Sequence, residues 1–403
     1  PFFSIAFLWH CVILGEFITL GFNTMDNPMA HTLTSEQFSQ LIDTLWNQDY
    51  SVLGPVVRDG AIVLEELRSA SQLPQGWIDD QEAGTYRIEK KDDPEYFRFT
   101  NGQHSWKQFL LPSKVQLLTA KNVNGKMQIS EDPVPAPKYA FIGVRPCDLA
   151  AIKVQDRVLM GDEYRDPIYV ERRKNALIIC VKCTRAGGTC FCASMGSGPE
   201  PGEGYDLALT ELADDGGHRF VVDIGTSRGA ELIASLGAGP ASEMDVKQAR
   251  QRVEETASHM GRTLRQDNLA ATLLNNFEHP HWECVANRCL ACGNCTLVCP
   301  TCFCTTVEDK TELLGQKTER RRLWDSCFTF DFTYIHGGSV RASTMSRYRQ
   351  WITHKLATWW QQFGTSGCIG CGRCITWCPV GIDITEEAKA IRLKNRADSK
   401  KGA

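Results

Sequence analysis

The sequence lacks the loops by which enzymes hold nucleotides. No G-x-G-x-x-G follows a strand-like run, no P-loop occurs, and Gly196-Ser-Gly198-Pro199 resembles a dinucleotide loop only superficially. Positive charge is not in excess: 44 Lys and Arg stand against 48 Asp and Glu, for a net −4. A nucleic acid partner is therefore not expected. Long apolar runs are scarce as well. The longest, Ser4 to Phe22, is broken by His10 and Glu16 and has neither a basic leader nor a small-residue cleavage site, so no membrane span is expected. The chain starts at Pro1, while Met25 and Met29 sit just before the first patterned helix, and residues 1–28 are read as a non-native or disordered extension. Also missing are paired C-x-x-C motifs at opposite chain ends, which a nickel site would call for.

What the chain has in abundance is cysteine. Most of its 18 cysteines fall in three short clusters, Cys180 to Cys192, Cys289 to Cys304 and Cys368 to Cys378. Thiols so close in sequence cannot easily bridge to each other, and nothing signals export, so metal ligation in a reducing, cytoplasmic compartment is the better reading.

Two of the clusters carry the same pattern, C-x2-C-x2-C-x3-C-P, as Cys289, Cys292, Cys295, Cys299-Pro300 and as Cys368, Cys371, Cys374, Cys378-Pro379. Three thiolates at two-residue steps can wrap three corners of a cuboidal 4Fe-4S cluster, while Gly293, Gly370 and Gly372 let the backbone come close to the sulfides. In proteins with two such motifs the fourth cysteine crosses to the other cluster. The expected ligands are Cys289, Cys292, Cys295 and Cys378 for cluster one, and Cys368, Cys371, Cys374 and Cys299 for cluster two. A pair of zinc sites in a structural or interaction module is the competing reading, but zinc ribbons use C-x2-C pairs without the third cysteine and the C-P.

A third 4Fe-4S site is expected on Cys147, Cys183, Cys190 and Cys192, with Gly187 and Gly188 shaping the loop. Cys180 competes with Cys183, although it ends an apolar strand and reads equally as a buried hydrophobe. Unligated or zinc-bound thiols are the alternative here. Cys302, Cys304 and Cys327, with Cys11 and Cys284, read as buried packing, and Cys302, Cys304 and Cys327 compete as further ligands. No residue reads as catalytic: His336-Gly-Gly338 has no base or nucleophile to partner it.

A length of 403 residues suits two domains. Thr34 with Gln37 forms a capping box ahead of a helix carrying Phe38, Leu41, Ile42, Leu45 and Trp46 on one stripe. A hairpin follows through Arg58-Asp59-Gly60. The strand-like runs Tyr139–Val144 and 176–180 each lead into cysteines, as ligands do at the carboxyl edge of an α/β sheet. Past about Asp245 the strand signal fades and helical patterns dominate. The expected fold is an α/β or α+β domain over 29–255, an all-α helical ferredoxin domain over 256–395 and a disordered tail over 396–403. The aromatic stripe Tyr348, Trp351, Ile352, Leu356, Trp359 and Trp360 reads as core. The basic residues Arg341, Arg347, Arg349, His354 and Lys355 read either as a solvated face or as cations that offset cluster charge.

Five stretches together carry a resemblance: GVRPCDLAAI (143–152), CTRAGGTCFCASMGSGPE (183–200), CGNCTLVCPTCFC (292–304), RRRLWDSC (320–327) and SGCIGCGRCITWCPVGIDI (366–384). They resemble the iron–sulfur beta subunit of soluble sulfhydrogenase-type NiFe hydrogenases and the related A subunit of anaerobic sulfite reductase, over about residues 30 to 395. The resemblance implies an electron-transfer subunit in an oxidoreductase complex. Its partners would be a flavin- and NAD(P)-binding subunit and the NiFe hydrogenase subunits, or the sulfite reductase subunits in the alternative case.

Overall fold

The computed structural model describes residues 30–100, 102–131, 135–161 and 164–399, with backbone alone for 394–399. The extension expected over 1–28 lies outside the described residues. So do 400–403, although the helix Ile384–Ser399 runs into the stretch expected as a tail.

The N-terminal half is built on one eight-stranded mixed sheet. Its order is Gly239–Pro240, His31–Thr34, Gly217–Ile224, Leu207–Asp214, Leu177–Val181, Tyr139–Val144, Ser51–Arg58, Ala61–Glu66. The four central strands, Leu207–Asp214 through Ser51–Arg58, run parallel, and antiparallel pairs close both edges. Parallel strands are covered on both faces and so read as unbroken apolar runs; Leu177–Val181 is buried at every position. The hairpin through Asp59 and Gly60 forms as its sequence suggests, both residues having positive φ (50° and 73°). Thr34 and Gln37 cap Ser35–Asn47 reciprocally, and the helix turns Phe38, Leu41, Ile42 and Leu45 into the core over the sheet.

The C-terminal half departs from the all-α expectation. Between the two cysteine motifs the chain makes a long antiparallel hairpin, Thr305–Thr311 with Lys317–Trp324. This hairpin joins Lys114–Val123 and Lys126–Ser130 in a second sheet of four strands, and a smaller pair, Tyr334–Ile335 with Gly338–Ser339, follows. The strands escaped notice because they do not alternate apolar with polar. Thr305–Thr311 (TTVEDKT) is exposed along almost its whole length, so no buried face imposes a period of two. Cross-strand charge pairs such as Arg320 with Asp309 (2.7 Å) stand in for packing.

Helices do surround the motifs themselves. Leu269–Leu274, His281–Ala286, Thr344–Thr353 and Ile384–Ser399 meet around Trp282, Phe328, Tyr348, Trp351, Ile352 and Ile391. Thr344–Thr353 continues through a π-helical turn, His354–Thr358, and a last turn, Trp359–Phe363, before Gly364 ends it in the left-handed region. This core holds the cysteine loops at its rim. Truncating Trp282, 1% exposed, would cost about 3–5 kcal/mol.

Candidate iron–sulfur centres

Each cysteine motif folds as a loop that enters one helical turn, Asn294–Leu297 in the first and Arg373–Thr376 in the second. Gly293 and Gly372 stand before those turns with φ of 75° and 78°, values that glycine adopts without strain. Cys378, although it belongs to the second motif, stands with the first: one cavity is lined by Cys289, Cys292, Cys295 and Cys378, with Cys374 of the second motif and with Phe328, Tyr348 and Trp351. Cys299 makes the reverse move, standing beside Cys368, Cys371 and Cys374. The two groups adjoin, because Cys295 and Cys374 interact.

Burial raises most of these thiols. Cys295 and Cys374 are pushed well above the ordinary range, and Cys368 up to about 12. A thiol so raised would release its proton when a metal cation takes its place, which is how thiolate sites couple folding to metal. Cys299 is the exception, held well below the ordinary range by a hydrogen bond with Cys302 and then by Lys355 and Thr301. The Lys355 ammonium is fully enclosed. It donates to Cys299 Sγ at 3.2 Å, Cys302 Sγ at 3.5 Å, Thr301 Oγ1 at 3.1 Å and the Gly367 carbonyl at 3.1 Å. A second enclosed ammonium, Lys107, donates to the carbonyls of Leu297, Cys299 and Cys302 and lies over the Trp324 ring.

The third set assembles at the carboxyl edge of the large sheet. Pro146 starts the helix Pro146–Leu159 after strand Tyr139–Val144 and presents Cys147 in its first turn. Cys183 follows strand Leu177–Val181. Cys190 and Cys192 each interact with Cys183, and Cys147 interacts with Cys192. Cys180 is wholly enclosed among Phe141, Leu53, Ala208 and other core residues, the place of a small hydrophobe. Burial pushes the Cys190 thiol up to about 12 and Cys147 well above its ordinary range. The buried Arg145 guanidinium approaches Cys183 and donates to the Phe97 and Phe99 carbonyls.

The third set is fastened to the second motif. Phe191 N–H donates to the Gly370 carbonyl at 2.8 Å, Thr189 and Thr376 hydroxyls meet at 2.7 Å, and Ser197 donates to the Ile369 carbonyl. Arg373 and Asp148 form a buried two-point ion pair, both bonds 2.8 Å, across the same junction. Cys371 interacts with Cys147, Cys190 and Cys192. The second set thus adjoins both the first and the third.

The donor sets suit cuboidal clusters. In a cluster each thiolate meets its own iron, so the sulfurs stand apart. Two residues that line the first cavity carry further donors: Tyr348 Oη and Trp351 Nε1 are buried without a hydrogen-bond partner among the described residues. Buried donors are almost always satisfied, and cluster sulfur would accept from them.

These features define an iron–sulfur protein, and residues 288–382 match the 4Fe-4S dicluster domain family. Over 313 residues the chain is 29% identical to Sulfhydrogenase 2 subunit beta of Pyrococcus furiosus, covering 76% of this chain and 89% of that protein. This agrees with the resemblance carried by the motifs: the chain is similar to a sulfhydrogenase beta subunit and contains a segment that matches a 4Fe-4S dicluster domain. No solved structure matches it significantly. Among the described residues no helix is long and apolar enough to cross a membrane.

Two features of the site were missed or half seen. Lys355, read as one of several basic residues, is the enclosed one, and its position gives it away: it follows Tyr348, Trp351 and Ile352 on the buried stripe. Lys107 had no such signal, because its helix, Lys107–Leu110, is a single turn. Cys284 is exposed, Cys11 lies outside the described residues, and the His336-Gly-Gly338 stretch forms the turn between Tyr334–Ile335 and Gly338–Ser339.

Proposed function

We propose that this chain is a non-catalytic electron-transfer subunit that relays electrons between a flavin- and NAD(P)-binding subunit and NiFe hydrogenase subunits. What carries the reading is that three thiol sets adjoin, at Cys295 with Cys374 and at Cys371 with Cys192. Cys289, Cys292, Cys295 and Cys378 would hold the first cluster, Cys368, Cys371, Cys374 and Cys299 the second, and Cys147, Cys183, Cys190 and Cys192 a third. Bound there, 4Fe-4S clusters supply one-electron redox centres.

The residues around them do the tuning. Lys355 places positive charge against Cys299, Arg145 against Cys183, and Tyr348 and Trp351 offer neutral donors at the first set. Positive charge and hydrogen bonds to sulfur both favour the reduced state. Such thiolate sites persist under reducing conditions, in keeping with a cytoplasmic location.

Affinity purification of the tagged chain from its native host without oxygen tests the assignment. Flavoprotein and hydrogenase polypeptides in stoichiometric amounts are the expected result. Sulfite reductase subunits in their place, or recovery of the chain alone, would overturn it.

A further inference from the structure

Three cysteines of the C-terminal half stand near the proposed clusters but outside the sets of four. Cys302 is engaged with Cys299 and Lys355. Cys304 and Cys327 engage each other. The ladder of Thr305–Thr311 with Lys317–Trp324 ends with Thr305 opposite Trp324, and Asp325 N–H adds one more bond to the Cys304 carbonyl at 2.9 Å. The chain then turns, with Asp325 Oδ1 accepting from Ser326 N–H at 2.7 Å and Ser326 Oγ from Phe328 N–H at 3.0 Å. That turn brings Cys327 back to Cys304: the two thiols share a hydrogen bond, and the Cys327 backbone N–H donates to Cys304 sulfur. Cys327 lies near Cys295, and both are within the field of Lys355. Neither is fully enclosed.

We propose that Cys304 and Cys327 form a redox-active dithiol that closes to a disulfide beside the iron–sulfur relay. The bond from Asp325 N–H to the Cys304 carbonyl and the turn after it hold the two thiols within hydrogen-bonding reach, so closure needs a small movement of the side chains. The pair is chemically unequal, as thiol–disulfide exchange favours. The bond with Cys327 holds Cys304 toward the thiolate, at about 7, and raises its partner. On closure two S–H bonds are lost and one S–S bond forms. Two protons leave to solvent, and the two electrons would be taken one at a time by one-electron acceptors of the iron–sulfur class; opening would take two electrons back from reduced acceptors of that class, with two protons. The source and sink of the electrons rest on the relay proposed above, whereas the existence of the disulfide does not. Such a pair would store two electrons in its reduced form, passed one at a time to acceptors that take one each.

Protein purified without oxygen, poised over a range of potentials with mediators, acid-quenched and alkylated under denaturing conditions, tests this by peptide mass spectrometry. The expected result is that Cys304 and Cys327 lose alkylation together on oxidation, as one two-electron step, and appear as a linked peptide pair. Both should return to full alkylation on reduction. Iron and acid-labile sulfide should be unchanged in Cys304→Ser and in Cys327→Ser, and each variant should leave the other thiol alkylatable at every potential. Full alkylation of both residues in the oxidised wild-type protein would overturn the proposal. So would a loss of iron in either variant, which would make these residues cluster ligands. Failure of the relay itself would show as absent iron with the thiol chemistry intact.

Discussion

The Lys355 ammonium sits 3.2 Å from Cys299 Sγ, on a side chain so buried that little water can share its charge. Desolvation opposes its charge, yet Cys299 and the neighbouring thiols outweigh that and hold the amine well above its ordinary range. A cation so placed stabilises the more negative, reduced state of whatever Cys299 ligates. Lys355→Met should lower the midpoint potential of one cluster by about 60–130 mV, the equivalent of one hydrogen bond to a charged group. An EPR-monitored redox titration reads the shift; an unchanged potential would leave Lys355 a purely structural role.

Tyr348 and Trp351 make a milder prediction for the other motif. Both side chains line the cavity that contains Cys289, Cys292, Cys295 and Cys378, and both carry a buried donor without a hydrogen-bond partner among the described residues. Tyr348→Phe keeps the ring in the core and removes the donor alone. It should lower the potential of the first cluster by roughly 20–60 mV, as a neutral hydrogen bond would, with iron content unchanged. If the second cluster shifts in its place, the ligand sets are wrongly divided.

The Arg373–Asp148 pair bridges the helix that carries Cys147 and the turn that carries Cys374. Asp148→Ala leaves a buried guanidinium without its counter-charge and should destabilise the protein by about 3–5 kcal/mol. Urea unfolding of the anaerobic protein measures it. The double variant Asp148→Leu with Arg373→Met should recover much of the loss, because two apolar residues carry no unpaired charge.

The cysteine motifs were legible because cluster ligation demands a fixed spacing, and a fixed spacing survives in sequence whatever the fold. The crossing of Cys299 and Cys378 was an expectation drawn from the paired motif, and the structure sets Cys378 beside the first motif and Cys299 beside the second. The parallel core was half legible: runs such as LIICV announce a strand buried on both faces, but the sheet order depends on pairings that no local pattern records. The hairpin inside the C-terminal half was not legible at all. Its strands are held by charge pairs and by docking on Lys114–Val123, a segment far away in the chain, and neither leaves an apolar period to read.

The junction of the third set with the second motif depends on close backbone approach. A Cβ on Gly370 would meet the Phe191 carbonyl oxygen at 2.6 Å, and the residue holds φ of 67°. Gly370→Ala should cost at least about 1–2 kcal/mol from the dihedral alone, with the clash added. A lower melting temperature and loss of cluster absorbance are the expected readouts. Wild-type behaviour would mean that the two loops are not packed as described.

Replacing Cys147 and Cys190 together by Ser separates the third site from the pair. Iron should fall from roughly twelve to roughly eight atoms per chain, while the EPR signals of the two C-terminal clusters persist. Unchanged iron would remove the third site from the relay.

The most direct measurement is the metal and acid-labile sulfide content of protein purified without oxygen, taken with its EPR spectrum after reduction. Iron and sulfide in equal amounts, at least about eight of each per chain, with the signals of magnetically interacting reduced 4Fe-4S clusters, are what the paired motif of Cys289 to Pro379 predicts. About one zinc per site, with neither iron nor labile sulfide, would contradict it.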